Sequence, residues 1–223
     1  MKRRIIYLLA LLVIFIFSCK KKSDEQASQP VSPAPDYIQL SVGNYWVYEF
    51  YKVDTNGVEQ KLTHTDSSYI LKDTIINRNK YFVRLSNPIQ FTRSGSLLTG
   101  PDTSYMRDSL GYLLVLDYYG NTHVGFSRDN FSYVFEADTN FNLLWSQQKM
   151  AGRDSIVSVP AGTFKTRSVC LFVYPLQPTY PLGIRKYFTI YGEGVGEIKH
   201  TYGFYDSPDH YEARLVRYHV MNK

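Results

Sequence analysis

The chain has 223 residues, 44% of them apolar and 16% aromatic, with 25 Lys and Arg against 20 Asp and Glu and a formal charge of +5. Six of the basic residues fall in the first 22, which hold no acid, so the remainder carries 19 basic and 20 acidic groups, a net of −1. Without a basic footprint on the folded part, nucleic acid is excluded as the expected partner, and the roughly 190 residues that follow the leader suffice for one domain with a continuous core.

Lys2, Arg3 and Arg4 precede an apolar run from Ile5 to Phe17 and then Ser18-Cys19, the order of parts in a secretory signal. About 13 apolar residues at 1.5 Å of rise each fall short of a hydrocarbon core of roughly 30 Å, so residues 1–18 are expected to be cleaved rather than kept as an anchor helix. Ile16-Phe17-Ser18-Cys19 resembles the lipobox of bacterial lipoproteins, although Phe17 is larger than the residue usual at its position. The resemblance implies a diacylglycerol thioether on Cys19, cleavage before it and acylation of the new amino terminus, which makes the membrane a partner through lipid on Cys19. At about 0.8 kcal/mol per buried methylene, two or three acyl chains stay in a bilayer where one would exchange off. The implied address is the cell envelope, lipid-anchored at the outer membrane on its periplasmic or surface face.

Residues 19–35 are expected to be the lipidated cysteine and a tether, because beyond Lys20-Lys21-Lys22 they are rich in Ser, Pro, Ala and Gln with Val31 the one large apolar residue. The lysines suit anionic headgroups. Ser23-Asp24-Glu25 reads as a soluble spacer, and also resembles the acidic export tag of some Gram-negative surface lipoproteins.

Residues 36–223 are expected to be a single all-β domain, since 20 Tyr and 13 Phe favour pleated surfaces and no segment after the signal shows a sustained helical period. In chain order, Tyr45–Val53 alternates large side chains and is stopped by Asp54-Thr55-Asn56-Gly57, where Asn-Gly suits a tight hairpin. Tyr69–Ile76 and Tyr81–Leu85 flank Asn77-Arg78-Asn79, and 103–107 and 112–118 flank Ser109-Leu110-Gly111. Strands over 131–137 and 142–149 surround an expected turn at Asp138-Thr139-Asn140, and further strands are expected over 154–159, 166–174, 185–191, 196–205 and 212–221. Ten to twelve such strands form an antiparallel meander that must curl into a half-barrel or barrel, or fold as a sandwich, to avoid exposing two long edges. In Arg185–Tyr191 the phase holding Tyr187 and Tyr191 opposes Lys186, Phe188 and Ile190, which points to one wet, Tyr-rich face. A membrane-spanning barrel is the alternative all-β arrangement, against which stand the lipobox and the turn pattern.

Three stretches carry a further resemblance: Val42-Gly43-Asn44-Tyr45-Trp46-Val47-Tyr48-Glu49, Val159-Pro160-Ala161-Gly162-Thr163-Phe164-Lys165-Thr166, and Tyr191-Gly192-Glu193-Gly194-Val195-Gly196-Glu197-Ile198-Lys199. They resemble landmarks of a family of secreted Gram-negative bacterial lipoproteins of uncharacterised function and frame most of residues 38–220. The resemblance implies an antiparallel β fold and supplies no catalytic residue. Read physically, Gly162 suits a hairpin corner with positive φ from which Phe164 turns back to the core, and Gly192, Gly194 and Gly196 suit a bulge or a bent strand.

No chemistry-bearing motif survives its context. Ser146-Gln147-Gln148-Lys149 matches Ser-x-x-Lys in a strand-like stretch without companion motifs. Asp138–Asn142 starts like a calcium loop, but Leu143 and Lys149 stand where Gly and Glu are needed. The five histidines lack zinc-site spacing, although His200, His210 beside Asp209, and His219 would meet if adjacent strands aligned them. Cys170, in an apolar stretch, reads as a small buried hydrophobe. No cofactor is expected. Trp46 and Trp145 are the candidate ligand contacts, otherwise core plugs, and the domain is expected to be non-enzymatic, binding an apolar, carbohydrate or protein ligand. The alternatives are an envelope hydrolase with a site built from distant loops and a structural subunit of an envelope complex.

Overall fold

The computed structural model describes residues 36–87, 89–91, 97–99, 101–117, 119–140, 143–177, 183–204 and 207–221, all within one compact unit, Pro35–Lys223. Among them every regular element is a strand: β1 (Tyr45–Val53), β2 (Glu59–Ile76), β3 (Asn79–Ser86), β4 (Ile89–Phe91), β5 (Leu97–Thr99), β6 (Asp102–Ser109), β7 (Tyr112–Leu116), β8 (Thr122–Ser127), β9 (Val134–Asn140), β10 (Leu144–Val159), β11 (Gly162–Pro175), β12 (Arg185–Gly192), β13 (Gly196–Gly203) and β14 (His210–His219). Twelve form one antiparallel sheet in the order β8-β7-β6-β3-β2-β1-β14-β13-β12-β11-β10-β9, and β4 with β5 makes a separate hairpin. The meander thus runs outward in both directions from the β1–β14 ladder. Its end strands, β8 and β9, approach each other without sharing a ladder. The result is a nearly closed barrel, the curled form expected of so many strands.

Local chemistry sets most turns. Asn77 and Arg78 (φ 50° and 64°), and Leu110 and Gly111 (φ 54° and 86°), are two-residue turns with both central residues at positive φ, the geometry that matches strand twist. After β1, Asp54 Oδ1 accepts from Asn56 N and Val58 N at 2.8 Å each, and Gly57 alone takes positive φ; the side chain of Asp54 closes a wider loop than the expected Asn-Gly pair. Gly162 lies at φ 144° in the β10–β11 corner, and Phe164 packs back on the core.

Several expectations are corrected. The segment from Glu59 to Ser68, almost without large apolar residues, is the first half of an 18-residue β2, carried by its ladder to β1 rather than by a buried face. Asp138 and Thr139 belong to β9, opposite Ser146 and Trp145. β10 runs unbroken where two strands were expected, because register shifts around Gly152 absorb the apparent break as a bulge. The short strands β4, β5 and β8 were not anticipated.

The expected wet, Tyr-rich face is also reversed. Tyr187 and Tyr191 are each 8% exposed and point inward, while Lys186, Phe188 and Ile190 form the outer phase. Wide rings fill the interior of a large barrel, and the Tyr187 phenol donates there to the Phe204 carbonyl at 3.3 Å.

The main core gathers Tyr48, Phe50, Ile70, Phe126, Met150, Val169, Ile198 and Leu215 from strands all round the ring. The segment Tyr37–Leu40 is buried among them. Tyr37 lies 5.9 Å from the Phe126 ring, under the Arg167 guanidinium at 4.9 Å, and Gly194 N donates to the Asp36 carbonyl at 2.7 Å. The chain therefore enters at the end that carries the β12–β13 turn. A smaller cluster of Leu144, Val173 and Tyr187 fills the opposite end. Outside, ion pairs tie β2 to β1 and β14, Lys61 to Glu49 at 2.8 Å and Glu59 to Arg214 at 2.5 Å.

Candidate functional site

Two places concentrate polar chemistry. The first is inside. Trp46 Nε1 donates to the Val195 carbonyl at 2.7 Å and walls a cavity of about 90 Å³ with Ile38, Leu40, Tyr48, Arg84 and Glu197. Arg84 Nη1 stands 3.7 Å from Glu197 Oε2, the two keeping 21% and 18% of their side-chain surface. His200 Nδ1 lies 3.5 Å from Glu197 Oε1 and 3.2 Å from the Thr189 hydroxyl, and the Tyr48 hydroxyl donates to the Glu197 carbonyl at 2.9 Å.

This cluster shifts its own titration. Desolvation pushes Asp66 up to about 6 even though it accepts from Asn87 N at 3.1 Å. Desolvation and the Glu197 charge raise the Tyr191 and Tyr202 phenols. Glu197 itself is held below the usual range, because the hydrogen bond to His200 and the Arg84 charge outweigh its own desolvation. Such perturbed neighbours are a signature of reactive sites. The volume decides otherwise: it holds a few waters and is a fraction of the roughly 300–1,000 Å³ of ordinary ligand pockets.

The second place is the outer face of β9–β13. Cross-strand registers align it in rows: Thr139–Trp145–Tyr174, then Ala137–Gln147–Phe172–Lys186, then Lys149–Cys170–Phe188. Trp145 and Tyr174 rings lie 5.0 Å apart. Phe172 and Tyr174 are nearly parallel at 6.3 Å, as i and i+2 on one strand must be close. Gln147 Nε2 donates to the Tyr174 hydroxyl at 3.1 Å. Lys149 Nζ stands 5.2 Å and Lys186 Nζ 5.9 Å from the Phe172 centroid. Lys186 and Phe188 lead from this row into a groove of about 480 Å³, whose walls include Ile190, Lys199, Thr201 and Glu212. There Lys199 Nζ pairs with Glu212 at 2.6 Å, and the carboxyl of Glu212 is held below its ordinary range by Lys199 and Arg214 against its own desolvation.

Of the two tryptophans singled out, Trp46 is a core residue at the cavity, whereas Trp145 is half-buried on the outer face and belongs to neither core cluster. Cys19 lies outside the described residues. Ser146 points inward and Lys149 outward, which separates the Ser-x-x-Lys pair. His200, His210 and His219 stand opposite Ala213, Gly203 and Tyr45, so adjacent strands do not align them. Among the described residues no group of three metal-ligating side chains comes together. Sequence reasoning missed Phe172, Tyr174, Lys149 and Lys186. The alternation Cys170-Phe172-Tyr174 was the available signal, but the partners across the ladder are set by register alone.

No family model matches the chain, and no curated protein matches it. Among solved structures, a protein of Parabacteroides distasonis designated a lipoprotein superposes with a TM-score of 0.49 at 13% identity, covering 84% of this chain and 100% of its own. A protein of Bacteroides fragilis, designated an exported protein with a YmcC-like fold, gives 0.49 at 11% identity, covering 83% and 99%. At this identity and superposition neither says what the present chain binds or does.

Proposed function

We propose that the protein is a lipid-anchored component of the cell envelope whose barrel domain is a non-catalytic binding module, with its ligand on the outer face of β10–β12. The lipobox-like Ile16–Cys19 and the short apolar leader support the anchor. The observation that supports external binding is the Trp145–Tyr174–Phe172 row beside a groove of about 480 Å³, set against the cavity of about 90 Å³ at Trp46. Asp66, Glu197 and His200 favour a second reading, an envelope hydrolase, since a carboxyl poised near pH 6 suits acid–base work. The cavity beside them is too small for a polymeric substrate.

The test has two parts. Mass spectrometry of the mature protein is expected to find acyl chains on an amino-terminal Cys19, and Cys19→Ala is expected to release the domain from membranes. A photo-crosslinking residue at position 147 is expected to form envelope adducts that the same residue at position 217 does not. An unmodified thiol, or equal labelling at both positions, would overturn the reading.

A further inference from the structure

The outer row carries positive charge that no carboxylate in the described residues balances. Lys199 has Glu212 and Lys61 has Glu49, but Lys149 and Lys186 have no carboxylate within ion-pair distance among the described residues, and their ammonium groups flank the Phe172 ring instead. We propose that this row is a binding site for acidic saccharides, chains bearing uronate carboxylates, which stack on Trp145, Tyr174 and Phe172 and pair with Lys149 and Lys186. The proposal rests on the outer face being the binding surface and names its ligand class.

Three features select this occupant. The C–H faces of a sugar ring lie against aromatic faces while its hydroxyls stay wet, which fits half-buried rings on an open sheet and does not fit an acyl chain, for which enclosure is needed. Hydrogen-bonding groups interleave with the rings: Gln147 sits between Trp145 and Lys149 on β10, and Thr139 stands beside Trp145. Ala137 and Thr139 are short enough to leave the β9 side of the row unobstructed. Two ammonium groups without an ion pair among the described residues favour a negative ligand, and the adjoining groove, with its Lys199–Glu212 pair, offers further polar partners to a chain that continues past Lys186.

The test uses the full lipidated chain in phosphatidylcholine nanodiscs, titrated with hexagalacturonate, with neutral maltohexaose, and with phosphatidylglycerol vesicles. Hexagalacturonate is expected to change the tryptophan fluorescence and bind at least about tenfold more tightly than maltohexaose at low salt, the gap closing in molar salt. The double variant Lys149→Gln, Lys186→Gln is expected to bring the acidic chain down to the neutral one, and Trp145→Ala to weaken both by about tenfold or more. The lysines lie on the surface and make no ion pair among the described residues, so that arm stays decisive even where Trp145→Ala fails to fold. Equal affinity for the charged and neutral chains, an unaffected lysine variant, or vesicle binding without saccharide binding would each overturn the proposal. A Trp145-dependent preference for the neutral sugar would do so while leaving the outer-face binding module intact.

Discussion

At the scale of single residues, burial without full compensation governs chemistry. Asp66 is 8% exposed, and desolvation raises its carboxyl from an ordinary 3.8 to about 6. The folded protein therefore holds a proton between about pH 4 and 6 that the unfolded chain has released. Stability from this group rises as pH falls from above 6 toward 4 and is flat below, an effect of at most about 3 kcal/mol. Asp66→Asn removes the charge and keeps the acceptor for Asn87 N, so the difference in stability between variant and parent is expected to favour the variant above pH 6 and shrink toward pH 4. Melting curves from pH 4 to 8 check this, and parallel profiles would sink it. Cys170 is the converse case. Wholly buried, its thiol is pushed up to about 11 by desolvation, so a thiol reagent at pH 8 is expected to leave it unlabelled until denaturant is added. Labelling in the native state at the rate of a free thiol would contradict that.

At the scale of elements, the entering segment matters as much as any strand. Tyr37 is fully buried, between Phe126 and Arg167, so Tyr37→Ala is expected to cost about 3 kcal/mol or more in chemical denaturation; a loss below about 1 kcal/mol would mean that the segment is not part of the core. This plug was not legible in the sequence, because Tyr37-Ile38-Gln39-Leu40 is too short for a period and its partners lie far along the chain. What was legible followed local rules. β1 has the bounds that its alternation gave, and the turns at Asn77-Arg78 and Leu110-Gly111 fell where their chemistry placed them. Elements held by a neighbour's ladder instead of their own pattern escaped, notably the polar half of β2 and the edge strand β8. The candidate site was half legible for the same reason. Trp145 stood out by type, but the row that it joins exists only once β10, β11 and β12 fall into register.

At the scale of the whole molecule, the ring is covalently continuous where it is not hydrogen-bonded and hydrogen-bonded where it is not continuous. β8 and β9 are consecutive in the chain and share no ladder, whereas β1 and β14, far apart in sequence, pair from Tyr45–His219 to Val53–His210. The two six-strand halves are thus joined by that ladder and by the common core into which Phe50 and Leu215 project. A break in the β8–β9 connection at exposed Ser132–Tyr133 removes no strand pairing. It spares the hydrogen bonds from Asn130 to Ser127 and Tyr112 and the ion pair of Arg167 with Asp129. Co-expressed chains ending at Ser132 and beginning at Tyr133 are therefore expected to co-purify, keep the β-type circular dichroism of the intact chain and melt in one transition at a lower temperature, the loss reflecting the extra entropy of two pieces. Adding Leu215→Ala, which opens a cavity where β14 meets Tyr48, is expected to cost about 2–5 kcal/mol and to separate the fragments, while the same substitution in the uncut chain leaves it folded. Fragments that never associate would show that the short connection across the seam, and not the β1–β14 ladder, holds the barrel shut.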